Sequence, residues 1–321
     1  MAAENTIRKS TLFLYSLNVR RGESTMTIPI SYDHSPLDLI RSRTSVRRFT
    51  GEIVAGEARQ ELERCCPAMG DGPFGGTCRF QLIDNRPRGG DRGERVGTYG
   101  IIRGARTYLA GATVSSRYGL EDFGYLFELL VLKATDLGLG SCWLGGTFTR
   151  GRFARAMELR EEEIIPAVSP VGIPTEQRSM VDRVFRWGAG SKQRKSWSEL
   201  FYDGEKAVAL SPDQAGQFAT ALDMIRLAPS AVNRQPWRCC KQGQRIHFYL
   251  LRSPGSRGMS PTDYRRIDMG IAMAHFDLGM AASGIEGSWQ VMDPPLSGEA
   301  PVRRPDAWLN AEYLVSWVVD S

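Results

Sequence analysis

The sequence predicts an α+β chain assembled from two related halves. Helical and strand patterns both run through its 321 residues. Two long helical stretches, Phe123 to Leu137 and Asp268 to Gly284, each end in a glycine-rich turn followed by a tryptophan, Trp143 or Trp289. The order before them also repeats. Arg64-Cys65-Cys66-Pro67, a Gly/Pro loop and Phe80-Gln81-Leu82-Ile83 parallel Arg226-Leu227-Ala228-Pro229, its turn and His247-Phe248-Tyr249-Leu250. A recurring helix–turn–strand–helix–turn order points to internal duplication about a pseudo-two-fold axis. The boundaries expected are a flexible tail over residues 1–25, a first half over 26–204 and a second half over 205–321.

Pro36 suits the first position of an opening helix, with Ser35 as its cap. A second helix is expected from Gly56 to Cys66 and a strand over Arg79–Ile83. Asn85 to Gly97, with four arginines, reads as a solvated surface loop. Thr107–Val114 reads as a strand. Phe123, Phe127, Leu130 and Leu137 stand at helical spacing. Ile164–Val171 is a short apolar strand. Ser191–Glu199 is basic and then turns helical. Ser211-Pro212-Asp213 opens a helix carrying Phe218, Leu222 and Ile225. Arg245–Leu251 alternates as a strand, and Tyr313–Val319 is the last one.

Composition bounds the function. With 42% hydrophobic and 24% charged residues, the chain can bury a sizeable core. The net charge is +5, but its 41 Lys and Arg are scattered among 36 Asp and Glu, unlike the basic stripe of a nucleic-acid binder. Six cysteines, two pairs of them adjacent, and three histidines match no zinc spacing. Reduced thiols in the cytoplasm are the simpler reading. No apolar run is long enough to span a bilayer. Residues 1–25 carry a short apolar run between basic pairs, which reads as a tail or an early start ahead of Met26 rather than a targeting segment.

Four stretches carry chemistry. Arg43-Thr44-Ser45-Val46-Arg47 places two guanidinium groups and two hydroxyls within five residues. That is an anion clamp, or a solvated helix end whose charge complements the helix dipole. Gly138 to Gly146 contains four glycines, which allow backbone to approach a flat ligand closely. Lys192 to Leu200 sets a basic pair before a short helix. Ala228-Pro229-Ser230-Ala231-Val232-Asn233-Arg234-Gln235-Pro236-Trp237 offers polar side chains from a backbone fixed by two prolines. No Rossmann fingerprint or nucleophile elbow competes. His247 and His275 read as packed histidines.

From Ser35 to the C-terminus these motifs resemble the FMN-dependent nitroreductase family. They are closest to a subgroup in which two family-like halves are fused in one chain. The resemblance implies a mixed sheet flanked by helices. It implies that Arg43 and Ser45, with Thr44 between them, meet the flavin phosphate, while Arg47 lies near the pyrimidine edge, where positive charge favours the reduced anion. It implies main-chain contacts from Leu144, Gly145 and Gly146 to the flavin ring. The family often has an acidic residue at the place of Gly145. Lys192 and Arg194 become further phosphate contacts. Gly97 to Gly100 covers the pyrimidine end, a loose match that makes Gly100 a candidate. Pro229, Ser230, Ala231 and Asn233 reach the same flavin from the second half.

The first half lacks the Pro-Ser-x-x-Asn turn, and the second lacks the Arg-x-Ser-x-Arg run and has Val291-Met292 in place of Gly145-Gly146. One complete site per chain is therefore expected. The activity implied is hydride transfer from NAD(P)H through FMN to a nitroaromatic, quinone or similar acceptor in ping-pong order, with no catalytic side chain. A flavin dehydrogenase or dehalogenase, or a non-catalytic flavin module, is the alternative. A fused pseudo-dimer is expected to work as a monomer, without nucleic-acid or membrane partners.

Overall fold

Two helices buried along most of their length organise the molecule. The computed structural model describes residues 17–21, 24–85, 100–175, 193–252, 262–291, 302–308 and 310–320. The first half, with an N-terminal hairpin, runs β1 (Leu17–Arg21), β2 (Ser24–Ile28), α1 (Pro36–Ser42), α2 (Gly56–Ala68), β3 (Cys78–Asp84) and β4 (Thr107–Val114). It continues with α3 (Gly119–Asp136), β5 (Gly140–Ser141), α4 (Arg150–Ala156), β6 (Glu163–Ile164) and β7 (Val168–Gly172). Then come α5 (Trp197–Leu200), β8 (Phe201–Asp203), β9 (Val208–Ala209), α6 (Pro212–Ala215) and α7 (Ala219–Leu227). The chain ends with β10 (Trp237–Gln242), β11 (Arg245–Leu250), α8 (Tyr264–Ala282), β12 (Gly287–Gln290) and β13 (Glu312–Val319).

Every residue of α8 from Ile267 to Met280 is buried, and α3 is buried on all faces over most of its length. A helix apolar all round must lie inside the molecule. These two lie against each other. A Cβ added to Gly124 would meet the Ile267 backbone, and one added to Gly270 would meet the Glu121 backbone. The same 146-residue offset relates Gly124 to Gly270 and Glu121 to Ile267, so the contact is isologous.

The sheets repeat the symmetry. The first half builds β3-β4-β7-β5, and the second half builds β10-β11-β13-β12 with the same order and the same antiparallel pairings. Each half is thus helix, hairpin, core helix, two strands. The second sheet is extended at both edges into eight strands, β2-β1-β12-β13-β11-β10-β8-β9. β8, from the end of the first half, lies parallel to β10. One half thereby completes the sheet of the other.

The offset also equates Asp122 with Asp268, and each carboxylate holds the turn that follows the helix before its half's hairpin, α2 or α7. Asp122 accepts from Phe74 N at 2.8 Å and Gly76 N at 2.7 Å; Asp268 accepts from Ala231 N at 3.0 Å. The α+β fold of helix-flanked sheets expected from the sequence is the fold observed, and its two halves repeat one strand order.

Several local expectations change. Residues 17–28, expected to belong largely to a flexible tail, form the β1–β2 hairpin, and β1 pairs parallel to β12 at Arg21 and Trp289. An open strand edge offers backbone partners to any extended segment that reaches it. Ser35 caps α1 through its carbonyl, which accepts from Asp38 N and Leu39 N, and its side chain makes no cap bond. The strand expected over Ile164–Val171 is two strands, separated around Pro166, which has no N–H to give a ladder.

Candidate functional site

The residues that matter converge at the first turns of α8, where the halves meet. After α1 the chain runs extended. Val46 N donates to Ser141 O at 2.8 Å, and Ser45 bridges Ser141 in parallel. This fastens the Arg43–Arg47 run along the edge of β5, the place that β1 occupies beside β12 in the other half. Thr44 and Ser45 are exposed, and Arg47 is half-buried. The Arg47 carbonyl accepts from Arg103 N at 2.9 Å, which ties the run to the short loop that begins at Gly100. Gly100 is exposed with φ of 75°, a backbone that favours glycine.

Arg43 turns inward. Its side chain is only 6% exposed, yet Nε and Nη1 have no hydrogen-bond partner among the described residues. The nearest carboxylate, Glu128 on α3, lies 3.9 Å from Nε, beyond hydrogen-bond reach. Arg194 stands close by. Burial, and then the positive charges of Arg43 and Arg226, pull its pKa below the ordinary value. Arginine nevertheless stays charged. Two guanidinium groups whose charges act on each other, one with two buried nitrogens unmatched, suit an anion. Lys192 lies outside the described residues.

The turn after α7 braces Arg194. Arg194 Nη1 donates to Asn233 Oδ1 at 2.7 Å, and Nη2 donates to Leu227 O at 3.1 Å. Asn233 Nδ2 donates to Gln193 O at 2.8 Å. Ser230 Oγ accepts from Gln235 N at 2.9 Å. Val232, Asn233 and Gln235 have φ of 46°, 54° and 50°. A β-branched valine there is a genuine outlier, held by the contacts around it.

The glycine turn after β5 faces α8. A Cβ on Gly145 would come within 2.7 Å of the Tyr264 ring, and Gly146 lies beside the Tyr264 hydroxyl. Arg150 Nη2 donates to Tyr264 OH at 2.9 Å and to Gly145 O at 3.2 Å. Tyr264 opens α8, whose second turn carries Asp268.

The structure therefore brings Arg43, Arg194, the Gly145-Gly146 turn and the Pro229–Asn233 turn around one place. It also shows which protein groups three of the expected contacts already bond. Leu144 N donates to Val168 O at 2.9 Å and is not available to a ligand. The Ala231 N–H is likewise taken by Asp268. Asn233 uses both ends of its amide, accepting from Arg194 and donating to the Gln193 carbonyl. Sequence reasoning missed Glu128, Tyr264, Arg150 and the two turn-holding aspartates. The aspartates left a signal, since Asp122-Phe123-Gly124 and Asp268-Met269-Gly270 share an Asp-x-Gly pattern at corresponding places.

The symmetry-related place is built differently. There the turn after α2 packs Phe74 against Tyr118 and Trp289, with ring centroids 5.1 and 6.2 Å apart. Tyr118 is the counterpart of Tyr264 at the 146-residue offset.

A family model described as "Putative TM nitroreductase" matches residues 37–280, about three quarters of the chain. The chain belongs to this nitroreductase family. Its fold is similar to that of a "putative nitroreductase" from Thermotoga maritima, with a TM-score of 0.51 at 18% identity, covering 89% of this chain and 93% of that one. A "putative nitroreductase in complex with fmn" from Desulfovibrio desulfuricans is 23% identical over 47% of this chain and 95% of its own, with a TM-score of 0.35. A "nitroreductase with bound FMN" from Desulfitobacterium hafniense is 19% identical over 45% of this chain and 92% of its own, with a TM-score of 0.36. No curated protein matches the sequence. No helix among the described residues is long and apolar enough to cross a membrane.

Proposed function

We propose that this nitroreductase-family protein is an FMN-dependent oxidoreductase that binds one flavin per chain between its halves. It takes hydride from NADH or NADPH and reduces a nitroaromatic, quinone or similar acceptor in alternating order. The observation that carries this reading is the buried Arg43 guanidinium, unmatched at two nitrogens and set beside Arg194. That arrangement fits the phosphate of FMN, and relatives with bound FMN support the same cofactor.

FMN, when bound, would supply the redox chemistry that links the reduced nicotinamide to the acceptor. The protein supplies placement and charge. Arg43 and Arg194 would hold the phosphate, with the exposed Thr44 and Ser45 hydroxyls beside them in sequence. Lys192 adds a further cation on the same strength of resemblance. Arg47 and the Gly100 loop attend the pyrimidine end, and Arg47 favours a negative charge there. Gly145 and Gly146, beyond the Leu144–Val168 bridge, would offer main-chain N–H groups to the flavin ring. The Pro229–Asn233 turn supports Arg194 from the second half. In the symmetry-related place Phe74 occupies the turn and no Arg-x-Ser-x-Arg run is present, which is why one flavin is expected rather than two. A self-completed pseudo-dimer can function as a monomer in the cytoplasm.

The test is the visible spectrum of the purified protein, reconstituted with FMN, before and after anaerobic addition of NADH and of NADPH. Flavin absorbance at one equivalent per chain, bleached by a nicotinamide and restored by a nitroaromatic or quinone, is expected. Two equivalents would sink the single-site arrangement. Bound flavin that neither nicotinamide reduces would favour a non-catalytic flavin protein.

A further inference from the structure

Behind Arg43 lies a buried pair drawn from both halves. Glu128 on α3 and His275 on α8 are both fully buried, and His275 Nε2 stands 3.0 Å from Glu128 Oε1. His275 Nδ1 stands 3.0 Å from the Met224 carbonyl oxygen. A carbonyl only accepts, so Nδ1 carries a proton. A second proton must lie between Nε2 and Oε1, because two facing lone pairs at that distance repel. The other carboxylate oxygen is already an acceptor, taking the Trp143 Nε1 proton at 2.7 Å. Whether the shared proton sits on nitrogen or on oxygen, the Glu128–His275 unit has no net charge.

That neutrality matters for Arg43. A bare Glu128 carboxylate 3.9 Å from Nε would cancel much of its charge in a site shielded from water. We infer that His275 is a positioning residue for anion binding: by sharing a proton with Glu128 it leaves the charge of Arg43 to the ligand. Arg43 and Arg194 then supply two positive charges at one place, matching the roughly −1.5 to −2 carried by a phosphate monoester near neutral pH. This deepens the functional reading above and rests on it for the identity of the ligand. It also explains a role for α8 that its packing does not require, since the second half thereby sets the charge of a clamp carried by the first.

The test is titration of the apoprotein with FMN and with riboflavin, which lacks the phosphate. His275→Gln leaves Glu128 without its proton partner and is expected to weaken FMN by about 10-fold or more, the scale of a charge-assisted contact, while riboflavin is little changed. Glu128→Gln added to His275→Gln removes the competing carboxylate and is expected to restore FMN affinity to within about 3-fold, well inside the scale of one such contact. A merely structural histidine gives no such rescue. Equal loss in the single and double variants, both folded by circular dichroism, overturns the inference, and so does an unchanged single variant. Should His275→Gln not fold, nitrogen-15 NMR of the wild-type imidazole decides. A proton on Nδ1 supports the pair, and a neutral ring protonated on Nε2 alone overturns it. A wild type that binds neither flavin refutes the functional reading, and the same NMR result still decides the pair.

Discussion

Replacing Gly270 with alanine tests the interface on which the two halves depend. The added Cβ would stand 2.8 Å from Tyr125 N and 2.9 Å from Glu121 C, and nearer still to the Glu121 carbonyl oxygen. All three atoms are backbone of α3, so no side-chain rotation relieves the contact. The helices must part by roughly 1 Å, an overpacking that costs about 3 kcal/mol where the neighbours are rigid. Alanine returns about 1 kcal/mol through its better helix propensity. The net loss is therefore about 2 kcal/mol, or roughly a 3 °C fall in Tm for a chain of this size. Gly124→Ala, at the symmetric place against Ile267, is expected to fall by a similar amount. Differential scanning calorimetry and urea titration measure both. An increase in Tm for either variant would refute the reasoning, because it would mean that propensity outweighs the helix crossing.

Three further outcomes follow from the site. Burial pushes the Asp268 carboxyl up to about 8 from an ordinary 3.8. The folded state therefore binds this proton where the unfolded state has released it, so the contribution to stability is full below the unfolded pKa and is lost as pH rises towards 8. Asp268→Asn cannot titrate, so wild type should lose Tm relative to it between pH 5 and pH 8, and parallel melting curves at the two pH values would contradict this. Asn233→Ala removes the brace on Arg194 and is expected to weaken FMN by about 10-fold, by fluorescence titration, with riboflavin little affected. Arg47→Ala is expected to weaken FMN retention and to slow reduction by NAD(P)H in anaerobic stopped flow; unchanged kinetics in the fully flavin-loaded variant would remove Arg47 from that role.

The core helices were legible because length and unbroken apolar spacing survive any tertiary context. Phe123, Phe127 and Leu130 are all buried as their spacing requires. The duplication was legible for the same reason, since each core helix ends in a glycine turn and a tryptophan. What failed to show were contacts made by the backbone. Nothing in Leu144 reveals that its N–H is drawn to Val168, 24 residues later. Leu17 to Arg21 carries too much charge to announce a strand, and it becomes one because β2 pairs with it along its length and the β12 edge meets it at Arg21. β10 and β12 escaped notice because one starts directly out of a turn and the other is four residues long. Asp122 and Asp268 looked like ordinary acids near helix starts, where the dipole favours them. Their capture of a turn depends on chain brought back from 37 or more residues away.

The two halves agree where they touch the pseudo-axis and differ where they would touch a ligand, and geometry explains the division. Gly124 and Gly270 each accept the backbone of the other half, so a side chain at either one displaces the same pair of helices. The turn-holding aspartates sit one turn or less from that crossing and inherit its symmetry. Arg43, Gly145 and Asn233 lie away from the axis, and a change at one has no enforced counterpart in the other half. The second place can therefore carry Phe74 against Tyr118 and Trp289 without disturbing the first. The two places are nevertheless joined through one layer. Glu128 on α3 meets His275 on α8, while Tyr125 on α3 donates to Asp277 on α8 at 2.7 Å, and Asp277 in turn accepts from Trp289. The same helix pair thus presents a proton-sharing carboxylate behind the arginine clamp and another carboxylate beneath the aromatic cluster. A clamp on one side and an aromatic fill on the other can coexist because each is served by its own buried acid.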